Sequence, residues 1–271
     1  MITEQTIRPA DLLRYGLWAA VLRTAVRNRK EYGVPTAWLT HLAGNTVTLL
    51  LPDAFRMLPQ GLVADAKGLP GALLRTLRSR TWEDPSYAGY AAPLALGFIA
   101  SHPDYSIYHG RWAELNVFGF GLDSLPHASA AYGLARLLTE TVHTLECELP
   151  RDHALHRPIR RLGRQVDVLA AVAVLIVTII WECSEYLAHK AELKATGRAP
   201  DEINMQWSLP DALTDTVSNA LGLGAAILVG RSKRAGAGLC PDKPFAREEP
   251  HDSLPPGTVS TPEPPRSRAR A

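Results

Sequence analysis

The sequence predicts an all-α fold: a helical bundle of an integral membrane protein, followed by a disordered C-terminal tail. Residues 168–181 form an almost unbroken apolar run that stands directly before the carboxylates Glu182 and Glu185. A second apolar segment covers residues 212–230, and the tail, residues 231–271, is rich in proline, arginine and glutamate. Because ionised groups resist leaving water, acids at the end of an apolar helix indicate either a membrane-embedded site or an internal polar clamp.

Composition narrows the class of protein. The chain has 271 residues and a formal net charge of +2, so bulk electrostatics give no argument for nucleic-acid binding. Residues 1–16 contain charges and lack the apolar core of a cleavable signal peptide. We therefore expect the chain's own helices to take it to the membrane, with membrane lipid as its surroundings.

Residues 1–110 predict an N-terminal helical region whose membrane association is open. Pro9 suits a first helical turn, and apolar residues recur after it at helical spacing, with arginines at other positions. This amphipathic basic helix either lies on an anionic membrane surface or packs on a neighbouring helix. A second apolar stretch, residues 37–51, is interrupted by His41 and Asn45 and is shorter than the about 20 residues that cross a bilayer.

The middle of this region gives weaker signals. Residues 53–80 are amphipathic and predict helices that are broken at Pro59 and Pro70, while Pro52 closes the apolar stretch before them. Turn-forming residues predict a loop over residues 82–90. The pattern does not decide whether the residues that follow insert into a membrane.

Residues 111–230 predict a transmembrane bundle of three helices. The candidate spans are residues 115–138, 166–187 and 212–230, and the second has the strongest hydropathy signal. A polar loop over residues 139–165 carries five arginines: Arg151, Arg157, Arg160, Arg161 and Arg164. Basic residues also follow the last span. Because basic loops stay in the cytoplasm, we expect a multi-pass protein of the cell (inner) membrane with a cytoplasmic C-terminus.

This topology brings polar residues of three helices to one depth, near the external face. They are Asp123 and His127 in the first span, Glu182 and Glu185 in the second, and Asp211, Asp215 and Asn219 at the third. Spacings of three or four residues put each set on one helix face. Carboxylates and a histidine from facing helices are typical of metal sites in bundles, and Mg²⁺, Mn²⁺ or Zn²⁺ is the candidate ion.

Other interpretations of these residues stay open. The acids can belong to interhelical hydrogen bonds and ion pairs, with Arg111 or Arg136 as the counter-charge. Asp211 follows a proline and suits a helix N-cap, and Trp207 suits an anchor at the membrane interface. Residues 166–187 can also be the core helix of a soluble helical protein, since the mean hydropathy of the whole chain is low.

The same residues carry a resemblance to a known family. The pattern is Asp123-Ser-Leu-Pro-His127, then Trp181-Glu182-Cys-Ser-Glu185-Tyr186, then Met205-Gln206-Trp207-Ser-Leu-Pro-Asp211-Ala-Leu-Thr-Asp215-Thr-Val-Ser-Asn219-Ala-Leu-Gly222. It is similar to the YjdF-like bacterial inner-membrane proteins over about residues 115–230. It resembles the VanZ-like membrane proteins more distantly. The resemblance implies an integral membrane protein of bacteria and names no activity.

These features predict a membrane protein with a carboxylate and histidine site. If the protein is an enzyme, we expect a metal-dependent hydrolase of an envelope or lipid-linked substrate. In that case the acids and His127 hold a divalent metal ion and one acid serves as the base. The alternative is a non-enzymatic transporter, proton relay or small-molecule-binding protein that uses the same acids.

Overall fold

The described residues are mostly α-helical, which confirms the predicted helical character. The computed structural model describes residues 7–117, 119–200 and 202–236. Its helices are α1 (Pro9–Tyr32), α2 (Leu39–Met57), α3 (Gln60–Asp65), α4 (Gly68–Arg78), α5 (Ser86–Ile99), α6 (Ser124–Glu148), α7 (His156–Arg164), α8 (Val166–Thr196) and α9 (Leu209–Gly236). Its strands are β1 (Asn116–Val117) and β2 (Phe120–Gly121). Short 3₁₀ or π segments cover Pro35–Ala37, Ser79–Glu83 and Gly110–Trp112. The tail predicted beyond residue 236 lies outside the described residues.

Helix α1 packs on its neighbours. Pro9 begins it, and Gly33, which adopts a φ of 73°, ends it. Buried residues of α1, α2 and α5 form one core: Leu17, Val21, Ala25, Leu49, Tyr87, Ala91, Ala95 and Phe98. Arg14, one of the basic positions of the predicted surface helix, is 2% exposed and pairs with Asp11 and Asp53, each at 2.8 Å. Of the two interpretations of this helix, packing on a neighbour is the one observed.

The prolines break the chain at fewer places than predicted. The break at Pro59 is confirmed, since this residue separates α2 from α3. The predicted end at Pro52 is wrong, because α2 continues through it. Proline has no N–H for the carbonyl of Thr48 one turn earlier, and the Tyr87 hydroxyl donates to that carbonyl at 2.8 Å instead. Pro70 lies in the first turn of α4, where a backbone N–H has no acceptor within the helix, so the missing N–H does not weaken it.

The helix predicted over residues 115–138 begins later than expected. β1 and β2 form an antiparallel hairpin in which Val117 pairs with Phe120, and Gly119 in its turn has a φ of 89°. Asp123 follows the hairpin, and its Oδ1 accepts a hydrogen bond of 2.9 Å from the backbone N–H of Ser124. Asp123 is therefore the N-cap of α6 and does not lie within the helix.

The loops predicted over residues 82–90 and 139–165 are largely helical. α5 covers residues 86–90, α6 continues to Glu148, and α7 follows. Charged side chains of this part of α6 pair with another segment, since Glu148 accepts from Arg75 of α4 at 3.0 Å. Ion pairs between helices let a polar sequence stay helical, and the pattern along one chain segment does not reveal them.

Helix α6 is central, because it packs against both α5 and α9. Two glycines permit these contacts. A Cβ atom on Gly222 of α9 would lie 1.9 Å from the carbonyl oxygen of Ala128 in α6. One on Gly133 of α6 would lie 2.6 Å from the carbonyl oxygen of Tyr90 in α5. Both separations are shorter than any van der Waals contact, so only glycine fits at these points.

Helices α8 and α9 lie antiparallel. Arg231 near the end of α9 pairs with Asp167 at the start of α8 at 2.9 Å. Further along, the side-chain amide of Asn219 donates to the Thr178 hydroxyl at 3.0 Å. Both helices extend beyond their predicted ends: α8 continues past residue 187, and α9 enters the predicted tail as far as its next glycine. Arg, Lys and Ala favour helix, which explains this extension.

Two of the described helices are long and apolar enough to cross a membrane, namely α8 and residues Leu209–Lys233 of α9. This is weak evidence by itself, because core helices of soluble proteins meet the same criterion. α6, the third predicted span, is not among them. Only 22% of the apolar window of α8 and 28% of that of α9 is buried. α8 is therefore mostly exposed in this chain, which favours a membrane span over a core helix.

The close contact of α6 with α9 gives a first prediction. We expect Gly222→Ala to lower the free energy of unfolding by about 1–3 kcal/mol, because the added methyl group overlaps the Ala128 carbonyl. Gly224→Ala is the matched control: nothing lies within 4 Å of the added atom, and alanine favours helix. Thermal unfolding followed by circular dichroism measures both. Equal midpoints for the two variants would contradict the close approach.

Candidate functional site

Three carboxylates from two helices converge at one end of the α8–α9 pair. Glu182 and Glu185 project from one face of α8, and Asp215 projects from the second turn of α9. One carboxylate oxygen from each residue lies within 4.8 Å of the other two. Asp215 is 3% exposed, and both glutamates are half-buried. The convergence follows from the antiparallel packing, which sets the late part of α8 beside the early part of α9.

A third helix adds an imidazole to this group. His127 lies in the first turn of α6, and its Nε2 is 3.4 Å from Oδ2 of Asp215. The Asp123 cap fixes where α6 begins, and the contact between Ala128 and Gly222 fixes its position against α9. We call the group of Glu182, Glu185, Asp215 and His127 the carboxylate centre.

The remaining residues of the predicted site occupy four different environments. Asp123 caps α6, and Asp211 lies in the first turn of α9. Asn219 joins α9 to α8 through Thr178, and Arg136 pairs with Glu140. The predicted role of Asp211 as N-cap is wrong: Ser208 precedes the helix, and its hydroxyl accepts from the backbone N–H of Asp211 at 3.3 Å. Because Arg136 pairs with Glu140, another group must balance the negative charge of the carboxylate centre.

The carboxylate centre carries uncompensated negative charge. Two unit charges 4.8 Å apart repel by about 3.5 kcal/mol at an effective dielectric constant of about 20. Within the part of the chain that the structure describes, Glu182, Glu185 and Asp215 have no ion pair with a lysine or arginine. The N-termini of α6 and α9 point their partial positive charge toward this end, which offsets only part of the repulsion. A cation or bound protons must supply the rest.

One buried oxygen of the centre lacks a hydrogen-bond partner: within the described part of the chain, nothing bonds to Oδ1 of Asp215. A buried polar atom without a partner costs about 1–3 kcal/mol, so such atoms indicate a missing ligand, ion or water. Glu185 differs, because the indole N–H of Trp181 donates to its Oε1 at 2.6 Å.

The centre opens into a cavity of about 1050 Å³ inside the helical bundle. Its walls come from α2, α5, α6, α8, α9 and the connecting segments around residues 101–123 and 200–208. We call it the central cavity. Glu185, Asp215 and His127 line it, as do Asp123 and Asp211. Most of the predicted site residues therefore share one partly open cavity, whereas Glu182 and Arg136 do not line it.

The N-terminal region contributes to this cavity, which sequence reasoning missed. His41 of α2 stacks on Phe98 of α5 with ring centroids 4.9 Å apart, and its ring meets Trp181 edge-on at 6.1 Å. All three side chains line the cavity. The signal was present, because His41 interrupts an otherwise apolar stretch. Nothing in the sequence, however, connects that stretch to residues 140 positions away.

Trp207 is a second residue whose role changes. The predicted interfacial anchor lines the central cavity and packs edge-on against Tyr186 with centroids 5.0 Å apart. Its indole nitrogen is buried beside the Glu182 carboxylate. Trp207 and Glu182 also border a shared smaller pocket, so the tryptophan belongs to the surroundings of the carboxylate centre.

The arrangement is chemically suited to a divalent cation. Three carboxylates and one imidazole from three helices match the donor sets of bundle metal sites. Oxygen donors with one nitrogen fit Mg²⁺, Mn²⁺ or Zn²⁺. A bound ion would neutralise the repulsion and satisfy Oδ1 of Asp215, which has no partner among the described residues. The neighbouring cavity leaves room for a second ligand at the ion.

No protein-family model, curated protein or solved structure matches this chain. The resemblance to the YjdF-like and VanZ-like proteins stays a prediction.

The hydrogen bond between α8 and α9 gives a second prediction, because it holds the register that brings Glu185 to Asp215. In a double-mutant cycle of Thr178→Val and Asn219→Ala, we expect a coupling of about 0.5–1.5 kcal/mol in the free energy of unfolding. The control cycle pairs Thr178→Val with Thr216→Val, because the Thr216 hydroxyl donates within its own helix and not to α8. A coupling near zero in the first cycle would show that this bond does not hold the two helices.

Proposed function

We propose that the chain is an integral protein of the cell (inner) membrane and that α8 and α9 cross the bilayer. The supporting observation is the large apolar surface that these helices leave uncovered. Its members on α8 are Val168, Val172, Leu175, Ile176, Val177, Ile179, Ile180 and Leu187, and those on α9 are Leu209, Leu213, Val217, Leu221 and Leu228. In water such a surface costs about 25 cal/mol per Å² of apolar area, whereas lipid chains cover it without that cost.

The proposed orientation keeps the basic segments in the cytoplasm. The ion pair between Arg231 and Asp167 supports this, because it puts the end of α9 beside the start of α8. The arginines of α7 and the basic residues after the last span then share one side, as basic loops of membrane proteins do. The carboxylate centre occupies the opposite, external half of the helix pair. Its ligands would come from outside or from the outer leaflet.

We further propose that the carboxylate centre binds one divalent cation and uses it to hydrolyse an envelope or lipid-linked substrate. The observation that carries this proposal is the convergence of three carboxylates within 4.8 Å, one of which, Asp215, has a buried oxygen without a partner among the described residues. Glu182, Glu185 and Asp215 hold the ion, and His127 adds a nitrogen ligand or orients Asp215. A family relationship to the YjdF-like proteins is also part of this proposal. It does not indicate which reaction the protein catalyses.

The residues around the centre suit the proposed reaction. A bound ion would supply Lewis-acid chemistry, making a water molecule more acidic and polarising the bond to be cleaved. Asp211, one turn before Asp215 and on the cavity wall, would accept the proton of that water. As the water oxygen bonds to the acyl or phosphoryl centre, the bond to the alcohol oxygen would break, and Asp211 would return the proton to that oxygen. The apolar walls of the cavity, among them Leu94, Val174 and Val177, accommodate the lipid part.

The membrane proposal predicts where the chain can be labelled. We expect Arg198→Cys, after α8, to react with a membrane-impermeant maleimide in intact cells, above the level of the parent protein. Asp152→Cys, before α7, is the matched control and should react only after the cells are permeabilised. The protein should also stay in the membrane pellet after washing at high pH. Release into the wash, or labelling of both positions in intact cells, would refute the arrangement.

The proposed centre predicts metal binding that depends on its carboxylates. We expect one Mn²⁺, Zn²⁺ or Mg²⁺ per chain, measured by elemental analysis and titration calorimetry of the purified protein. Glu182→Gln, Glu185→Gln and Asp215→Asn should each weaken this binding about 10-fold to 100-fold, because each removes a charged ligand. Glu31→Gln, at an exposed position on α1, is the control and should bind as the native protein does. Unchanged binding in all three variants would remove the centre from consideration.

The same variants test the reaction. Purified protein is reconstituted in liposomes made from a bacterial total membrane lipid extract, and products are followed by mass spectrometry with and without added Mn²⁺. We expect at least one lipid species to fall while its water-soluble headgroup rises, only with the ion and not with Glu185→Gln. Identical lipid profiles for the native protein and the variant would contradict hydrolysis. The non-enzymatic alternative predicts this result.

A further inference from the structure

The described wall of the central cavity carries acidic side chains but no strongly basic ones. Four carboxylates line it: Asp123, Glu185, Asp211 and Asp215. Among the described residues that form this wall there is no lysine and no arginine. Burial lowers the pKa of His109, which also lines the cavity, so this imidazole is neutral near pH 7. An anionic ligand would therefore meet repulsion throughout this space, and a cation would meet attraction.

One of these carboxylates is both buried and incompletely bonded. Asp215 is 3% exposed, faces the cavity, and its Oδ1 has no hydrogen-bond partner within the described part of the chain. Its other oxygen lies near His127. A charged oxygen that is removed from water and left without a donor indicates that a positively charged or donating group completes it. This observation is independent of the count of acids on the wall.

Aromatic side chains face the same space. Tyr87, Tyr90, Phe98, Tyr108, Trp181 and Trp207 line the cavity together with the acids. The negative face of an aromatic ring attracts a cation, and the gain rises to about 2 kcal/mol or more where water is excluded. Burial, and to a smaller extent the negative charge of Glu185 and Asp123, raises the pKa of the Tyr108 phenol. Rings and acids together are the surroundings in which proteins bind organic cations.

The dimensions fit an organic molecule that is larger than a metal ion. The cavity volume is about 1050 Å³, at the upper end of the 300–1,000 Å³ that is usual for small-molecule sites. Apolar residues such as Leu94, Leu134 and Val177 supply a surface for the body of such a ligand. A hydrated inorganic ion uses neither the rings nor this apolar surface. The lining therefore points to a ligand with positive charge on an apolar framework.

We propose that the central cavity binds a lipophilic organic cation, a protonated amine or quaternary ammonium group attached to an apolar body. The charge lies between Asp211 and Asp215, and the rings of Trp181 and Phe98 enclose the framework. This goes beyond the proposed metal site. It rests on the absence of lysine and arginine from the described wall, on the unpartnered oxygen of Asp215 and on the aromatic side chains. Where hydrolysis also holds, the cleaved substrate carries such a group.

The test compares two ions of the same shape and opposite charge. Purified protein is placed in nanodiscs, treated with EDTA to remove metal, and dialysed against tetraphenylphosphonium or tetraphenylborate, with empty nanodiscs subtracted. We expect saturable binding of the phosphonium, with about one ion per chain, and at least about 10-fold weaker binding of the borate. Equal binding of the two ions, or no saturable binding of the phosphonium, would overturn the proposal.

Two substitutions at one position locate the binding. Asp211→Asn removes a charge and should weaken phosphonium binding at least about 10-fold, whereas Asp211→Glu keeps the charge and should stay within about threefold of the native protein. Glu31→Gln on the exterior should leave binding unchanged. Equal affinities for the Asn and Glu variants would refute the assigned site. Because these samples contain no metal, phosphonium binding is measured independently of metal binding. Either proposal can therefore fail while the other holds.

Discussion

The approach of α6 to α9 at Gly222 is the contact on which the rest of the site depends. It brings the backbone of α9 against the carbonyl of Ala128, closer than any residue with a Cβ atom allows. His127 directly precedes Ala128 in α6, and Asp215 lies two turns before Gly222 in α9. The contact thus fixes the 3.4 Å separation of these two side chains. α8 then packs antiparallel to α9 and adds its glutamates.

Charge balance is the constraint that links the proposals. Helix packing gathers carboxylates of α8 and α9 at one end of the bundle beside His127 of α6, and within the described residues two helix N-termini compensate only part of their charge. Arginines elsewhere in the molecule are engaged: Arg14 by Asp11 and Asp53, and Arg136 by Glu140. Both proposed ligands, a divalent ion and an organic cation, answer the same electrostatic need. They differ in that only the organic cation also uses the aromatic wall of the cavity.

Helical character and the polar faces of the late helices could be predicted because they depend on neighbours three or four residues away. The spacing of Glu182 and Glu185 fixes one face of α8 in any fold. Other features depend on residues distant in sequence. α2 runs through Pro52 because Tyr87 compensates its missing N–H, and Trp207 turned inward to the cavity while the pattern favoured an interface. No local pattern contains those partners.

The sequence by itself determined two apolar helices and the acids at one end of each, because hydrophobicity and helical period act along a single segment. Only the tertiary structure decided which acids meet. Rotation and register of one helix against another depend on backbone contacts such as that at Gly222, which periodicity does not encode. The tertiary structure also separated Asp123, a helix cap, from the converging group, and placed Glu185, Asp211 and Asp215 on a cavity whose described wall carries no lysine or arginine.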